Sequence, residues 1–136
     1  MEDCVFCKIV KGELPCHKIW EDEKHLAFLD INPYAKGHIV IIPKKHSRWV
    51  WDAEDKEYSE YMLAVKTVAG ILRRAFDTES VQEIIAGFGV AHTHVHLLPR
   101  VENDGLGEIP HTPLNPQLSN EEMVGVRDKI LIASKN

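Results

Sequence analysis

From about Asp55 to Phe76 the chain sustains a helical period long enough to dictate an architecture. Tyr58, Tyr61, Met62, Val65, Val68, Ala69, Leu72 and Phe76 recur at spacings of three and four, which makes one apolar stripe that must be buried. Asp52 or Asp55 is expected to cap this helix. The remaining elements are short. His17 to Trp20 and His25 to Leu29 read as strands joined by the polar run Glu21-Asp22-Glu23-Lys24, and Asn32-Pro33 makes a turn. Gly37 leads into the strand His38-Ile39-Val40-Ile41-Ile42, stopped by Pro43. After the long helix come a strand from Val81 to Ala86, a Gly87-Phe88-Gly89 corner and a further strand, together a hairpin.

Two short helices complete the pattern. Val5, Phe6, Ile9 and Val10 give helical spacing between Cys4 and Val10, ended by Gly12 and Pro15. Ser119 followed by Glu122 is a capping box ahead of an apolar stripe of Met123, Val126 and Ile130, read as core or dimer contact. Strands and helices do not alternate, so the fold class is α+β: an antiparallel sheet of about five strands, one long helix, and short N- and C-terminal helices. Residues 1–136 read as a single domain in which 102–136 form an irregular, Pro- and Gly-rich loop plus the C-terminal helix.

Composition narrows the partners. With 16 basic against 21 acidic residues the net charge is −5, which offers no electrostatic footprint for nucleic acid or an anionic membrane. The opening Met1-Glu2-Asp3-Cys4-Val5-Phe6-Cys7 has neither the positive region nor the apolar run of a secretion signal, so a cytoplasmic protein is expected. Three cysteines, Cys4, Cys7 and Cys16, cannot all pair within the chain and suit a reducing compartment as free thiols or metal ligands.

The chemistry concentrates in His92-Thr93-His94-Val95-His96-Leu97-Leu98-Pro99-Arg100. On a strand, alternate side chains share a face, so His92, His94 and His96 would line one surface. Strands are poor places for histidine, and packing does not require three of them in alternation. Two uses are open. A zinc could take two neighbours, whose backbones stand about 6.6 Å apart, but the outer pair at about 13 Å could not readily converge on it. Alternatively the central imidazole is a nucleophile or base, flanked by groups that bind and protonate a substrate.

The motif resembles that of the histidine triad, or HIT, family, His-φ-His-φ-His-φ-φ with φ apolar, from which Thr93 departs. Cys4-Val-Phe-Cys7-Lys-Ile, Leu26-Ala-Phe28-Leu-Asp30-Ile31-Asn-Pro, and Gly37-His38-Ile-Val-Ile-Ile-Pro43-Lys-Lys-His46 resemble further blocks of the family in the expected order, so the likeness covers roughly residues 3 to 100. It implies catalysis by His94, His96 and His38. His94 would attack the α-phosphorus of a nucleotide, its other ring nitrogen donating to a fixed acceptor such as a backbone carbonyl. His96 would contact the phosphate or leaving group, and His38 would hydrogen-bond behind the triad. Nucleotide binding would fall to Val5, Phe6, Ile9, Phe28 and Ile31 as an apolar slot for the base, Asp30 for the ribose hydroxyls, and Gly89 with His96 for the phosphate. Asp30 also reads as a turn residue ahead of Asn32-Pro33, and the apolar five also read as core.

The resemblance also implies a structural zinc on Cys4, Cys7, His46 and His92, with Cys16 outside the set, and a two-fold homodimer whose sheet continues across the interface. The implied activity is hydrolysis or transfer at the α-phosphate of an AMP- or GMP-linked phosphoramidate, acyl-nucleotide or dinucleoside polyphosphate, through a nucleotidyl-histidine. Some positions depart from the family: Phe88 and Gly89 stand where glutamine or serine is frequent, Ala91 where proline is common, and the strand Val81-Gln82-Glu83-Ile84-Ile85 lacks an asparagine. Two alternatives follow, a nucleotide-binding regulatory protein with little turnover, and a zinc hydrolase using His92 and His94 as metal ligands.

Overall fold

The computed structural model describes residues 3–135. Five strands, β1 (Lys18–Glu21), β2 (His25–Leu29), β3 (Ile39–Pro43), β4 (Ser80–Ile84) and β5 (Val95–Arg100), form one antiparallel sheet in the order β1-β2-β3-β5-β4. Helix α1 (Val5–Val10) precedes the sheet, α2 (Asp55–Ala75) follows a short 3-10 turn at Val50–Asp52, and α3 (Asn120–Ala133) closes the chain. This is the α+β arrangement that the periods imply. No helix among the described residues is long and apolar enough to cross a membrane.

The period of two divides the core between the faces of the sheet. Ala27, Leu29, Ile39, Ile41, Val95 and Leu97 pack against Tyr61, Val65, Val68 and Leu72 of α2 and Met123, Val126 and Ile130 of α3. The alternate residues Leu26, Phe28, Val40 and Ile42 pack with Phe6 of α1. In β5, His96 lies between Val95 and Leu97 of the first face and so belongs to the α1 side. The connection into β3 turns at Gly37, whose φ of +91° and the Phe76 ring 2.5 Å from where a Cβ would stand leave room for glycine alone.

Two local expectations change and one holds. The cap of α2 is Glu54, which makes no side-chain capping bond, so neither Asp52 nor Asp55 caps it; Asp55 and Glu57 in the first turn still complement the helix dipole. At α3 both halves of the capping box form between Ser119 and Glu122. The connection from β4 to β5 runs over residues 85–94, longer than a tight Gly-Phe-Gly corner.

The largest change concerns the histidines, because β5 begins at Val95 and only His96 of the three lies in a strand. The ladder with β3 stops at the Ile41–Val95 pair. Groups that would extend it are already engaged: the Pro43 carbonyl accepts from His92 Nε2 at 2.8 Å, and the Thr93 amide donates to the Ser47 carbonyl at 2.7 Å. The segment 92–94 is held by side-chain and loop contacts, and a plain strand row of three imidazoles does not form.

Candidate active site

The histidine segment joins two clusters. In the first, the Cys4 Sγ lies 3.3 Å from His92 Nδ1, and the Cys7 Sγ lies 3.2 Å from His46 Nδ1 and 3.6 Å from His92 Nδ1. The two Nδ1 atoms are 3.2 Å apart. All four potential ligand atoms fall within 4.8 Å of one another, so the set could hold a metal ion. Zinc bonds of about 2.3 Å to sulfur and 2.0–2.1 Å to nitrogen place tetrahedral ligand atoms about 3.3–3.8 Å apart, close to the spacings here. The tautomer fits as well: His92 Nε2–H donates to the Pro43 carbonyl, which turns the Nδ1 lone pair towards the cysteines. Burial holds the His92 imidazole below its usual range, against the pull of that carbonyl, and so favours the neutral ligand form.

Local structure explains the convergence. Cys4 is the N-cap of α1, its sulfur accepting from the Cys7 amide at 3.3 Å, so Cys4 and Cys7 face the same way at the helix start. His46 follows β3 and His92 precedes β5, two strands that neighbour each other in the sheet.

The second cluster is a relay of imidazoles. The Tyr34 amide donates to His38 Nδ1 at 2.9 Å, so His38, held neutral by burial at about 4, must carry its proton on Nε2. His38 Nε2 lies 2.9 Å from His96 Nδ1, which therefore accepts. Burial also pushes the His96 imidazole down, so its proton resides on Nε2, the nitrogen left to face a ligand. His94 Nδ1 stands 2.7 Å from the His92 carbonyl and can only donate to it, which leaves an unprotonated Nε2. The His94 and His96 ring centroids are 4.9 Å apart, with the rings edge to face.

Phe6 packs edge-on to Phe28, with ring centroids 5.6 Å apart, and edge-on to His94 at 5.2 Å. Phe6 and Phe28 are buried and Ile9 is half-buried, whereas Val5 is 37% and Ile31 78% exposed, so the expected slot has a closed floor and open walls. Asp30 follows β2 next to the relay. Its Oδ1 accepts from the Asn32 amide at 2.8 Å, and its Oδ2 lies 3.6 Å from His38 Nε2. Turn residue and site residue are therefore compatible readings of Asp30. Gly89 has φ +88° and open space where a Cβ would be, which leaves its backbone approachable.

Several partners carry no sequence signal of their own: the Tyr34 amide, the Pro43 carbonyl, and Arg48, whose guanidinium donates to the Gly87 carbonyl at 2.6 Å and stacks 3.8 Å over Trp49. Phe88 is 79% exposed and meets Trp49 edge-on. The Ser47 pairing is a further one, for the departure of Thr93 from an apolar motif position named no partner. The two hydroxyls are 2.8 Å apart, and Thr93 Oγ1 also donates to the Ser47 carbonyl at 3.1 Å.

This geometry has relatives. An adenosine 5'-monophosphoramidase of Schizosaccharomyces pombe is 37% identical over 121 residues, covering 84% of this chain and 88% of its own. Among solved structures, a zinc-bound histidine triad family protein from Mycobacterium smegmatis superposes with a TM-score of 0.79 at 30% identity, covering 98% of this chain and 94% of that one. A hypothetical histidine triad nucleotide-binding protein from Sulfolobus tokodaii gives 0.84 at 28% identity, over 98% and 93% of the two chains. The HIT domain model matches residues 11–103, a span that carries His38, His46 and the whole histidine segment, and the chain belongs to the histidine triad family.

Proposed function

We propose that the protein is a nucleotidyl hydrolase or transferase that cleaves at the α-phosphate of a nucleoside phosphoramidate, acyl-nucleotide or dinucleoside polyphosphate. The observation that carries this reading is the 2.7 Å contact from His94 Nδ1 to the His92 carbonyl, which leaves Nε2 as a nucleophile. In the first step Nε2 forms a bond to phosphorus and the bond to the leaving group breaks. The resulting imidazolium keeps its Nδ1–H on the carbonyl, His96 Nε2–H hydrogen-bonds the phosphate or the departing atom, and an amine leaving group takes its proton from solvent. Water then breaks the N–P bond, releases the nucleoside monophosphate and restores the neutral imidazole. The 37% identity to an adenosine 5'-monophosphoramidase supports an AMP-type substrate. Phe6 and Phe28 would stack on the base, Asp30 would take ribose hydroxyls, and the Gly89 backbone would face the phosphate.

The decisive experiment offers adenosine 5'-phosphoramidate, quenches early and maps the adduct by mass spectrometry. One adenylyl group on the peptide bearing His94 is expected, at His94 itself. An adduct on His96, or turnover with none on any histidine, defeats the mechanism. The exposed Phe88 and the side-chain-free Gly89 leave the loop without a polar side chain for the leaving group and favour, as the second reading, a regulatory nucleotide binder. Tight AMP binding with no turnover is its signature. A zinc hydrolase built on His92 and His94 is disfavoured, because the ligand set around His92 is completed by Cys4, Cys7 and His46 without His94.

The same reading includes a structural zinc. The donor set supplies two thiolates and two imidazoles, and a bound zinc would tie α1 to the loops that flank the triad. Purified protein should carry one zinc per chain by elemental analysis. Cys7→Ser should lose it and Cys16→Ser should keep it; retention in Cys7→Ser rules the set out. The outer edge of β4, at the end of the sheet order, supports the two-fold dimer, and three free cysteines support a reducing, cytoplasmic setting.

A further inference from the structure

We propose that the peptide unit between His92 and Thr93 is a lever through which the Cys4, Cys7, His46 and His92 cluster and the Ser47–Thr93 pair together position the nucleophile His94. This rests on the assignment of His94 above and adds positioning residues to it. The carbonyl that holds His94 Nδ1–H at 2.7 Å and the amide that donates to the Ser47 carbonyl at 2.7 Å belong to one planar peptide group. Its plane cannot rotate without breaking both bonds. The carbonyl fixes His94 in the tautomer with a free Nε2, so the orientation of this one plane decides whether the nucleophile exists.

Both sides of the lever are anchored at the metal cluster. His92, on one side, is clamped at Nε2 by the Pro43 carbonyl at 2.8 Å and at Nδ1 by the cysteine sulfurs and His46. Ser47, on the other side, follows His46 directly, and His46 Nδ1 lies 3.2 Å from the Cys7 sulfur. A cation shared by His46 and His92 thus ties the two backbone segments one residue ahead of the place where Ser47 and Thr93 join them. The hydroxyl pair at 2.8 Å and the Thr93 Oγ1 bond to the Ser47 carbonyl at 3.1 Å are the remaining rungs. Thr93 is 5% exposed, so its hydroxyl has no business in the core unless it makes these bonds. The departure of Thr93 from an apolar motif position has its cause here.

A lever of this kind acts on the orientation of an attacking atom and not on the pocket that holds the base. Displacing such an atom by an ångström can lower a rate by about 100-fold while leaving binding alone. The coupling is also reciprocal, because whatever fixes His94 must favour the arrangement that binds the metal.

The test uses 15N-histidine-labelled full-length protein loaded with zinc, and two variants that act at different anchors. Thr93→Val keeps the volume and the backbone amide while removing the hydroxyl bonds. His46→Gln removes a metal ligand outside α1. In the loaded protein, His94 should show one tautomer, protonated at Nδ1. In Thr93→Val, zinc should stay at one per chain and the AMP dissociation constant should stay within about twofold. Adenylyl transfer should slow about tenfold or more, and the His94 resonances should move towards a mixture of tautomers. His46→Gln should lose zinc and show the same two changes. If it fails to fold, exchange of zinc for the larger cadmium ion takes its place, with the transfer rate expected to change severalfold at unchanged AMP affinity. An unaltered His94 tautomer and transfer rate in Thr93→Val and in the metal-perturbed protein overturns the proposal, as does a fall in AMP affinity that accounts for the whole loss. A loaded wild-type protein that forms no adduct defeats the functional reading instead, while the tautomer spectra still decide the coupling.

Discussion

Replacing His94 with alanine is expected to lower turnover of adenosine 5'-phosphoramidate by on the order of 10⁴-fold or more, the range in which loss of a covalent nucleophile falls. The size follows from the absence of a substitute among the neighbouring imidazoles. His92 has both ring nitrogens engaged, one on the Pro43 carbonyl and one in the cysteine cluster. His38 has both engaged, accepting from Tyr34 and donating to His96. His96 accepts at Nδ1 and carries its proton at Nε2, so it offers a donor and no lone pair. AMP binding should remain within a fewfold of wild type, because the proposed base slot rests on Phe6 and Phe28. His96→Ala should lose less, about 10² to 10³-fold, as befits a hydrogen-bond donor to charge that develops in the transition state. The measurement is single-turnover rate and AMP affinity for each variant side by side. A His94→Ala protein within tenfold of wild type would remove the covalent mechanism altogether.

Much of the fold was legible because burial imposes a period on the sequence. The stripe from Tyr58 to Leu72 had to be a helix, and the His25–Leu29 and Ile39–Pro43 strands are buried on both faces by α1 on one side and by α2 with α3 on the other. Capping was legible only where the chemistry is local and reciprocal. Ser119 with Glu122 announces itself, whereas Glu54 caps α2 by backbone position alone. The histidine row was misplaced for a physical reason. Alternation in sequence is equally compatible with a strand and with an extended segment whose hydrogen bonds go to side chains and loops, and the Pro43 carbonyl and Ser47 decide between them from almost fifty residues away. The four-residue sulfur and nitrogen set is likewise assembled by β3 and β5 lying next to each other, so spacing alone pointed no further than Cys4 and Cys7. The tautomer of His94 was expected only through the family resemblance, and those of His38 and His96 were out of reach. The Tyr34 amide that orders the relay is a backbone group, and any residue but proline at that position could donate it.

The relay gives the protein an acid sensitivity with a defined sign. His38 is 2% exposed and is pushed down to about 4, chiefly by burial, with Asp30 pulling it up and His96 pushing it further down. An unfolded histidine titrates near 6.5, so between about 6.5 and 4 the unfolded chain binds a proton that the folded chain refuses. Stability must therefore fall as the pH falls through that window, and below about 4 both states are protonated and the loss stops. The gap corresponds to about 3 kcal/mol for His38 alone, a large part of the stability of a domain this size. His96 and His92 are shifted the same way by burial and deepen the loss. The structural reason is plain: a proton on His38 Nδ1 would meet the Tyr34 N–H donor head-on, and both the bond and the orientation of His96 would go. Denaturant unfolding at pH 7 and pH 4.5 should show wild type losing about 2.5 kcal/mol more than His38→Gln, which has no proton to accept at that position. Equal losses in the two proteins would mean that the buried imidazole is not the acid-sensitive element and that ordinary surface carboxylates set the decline.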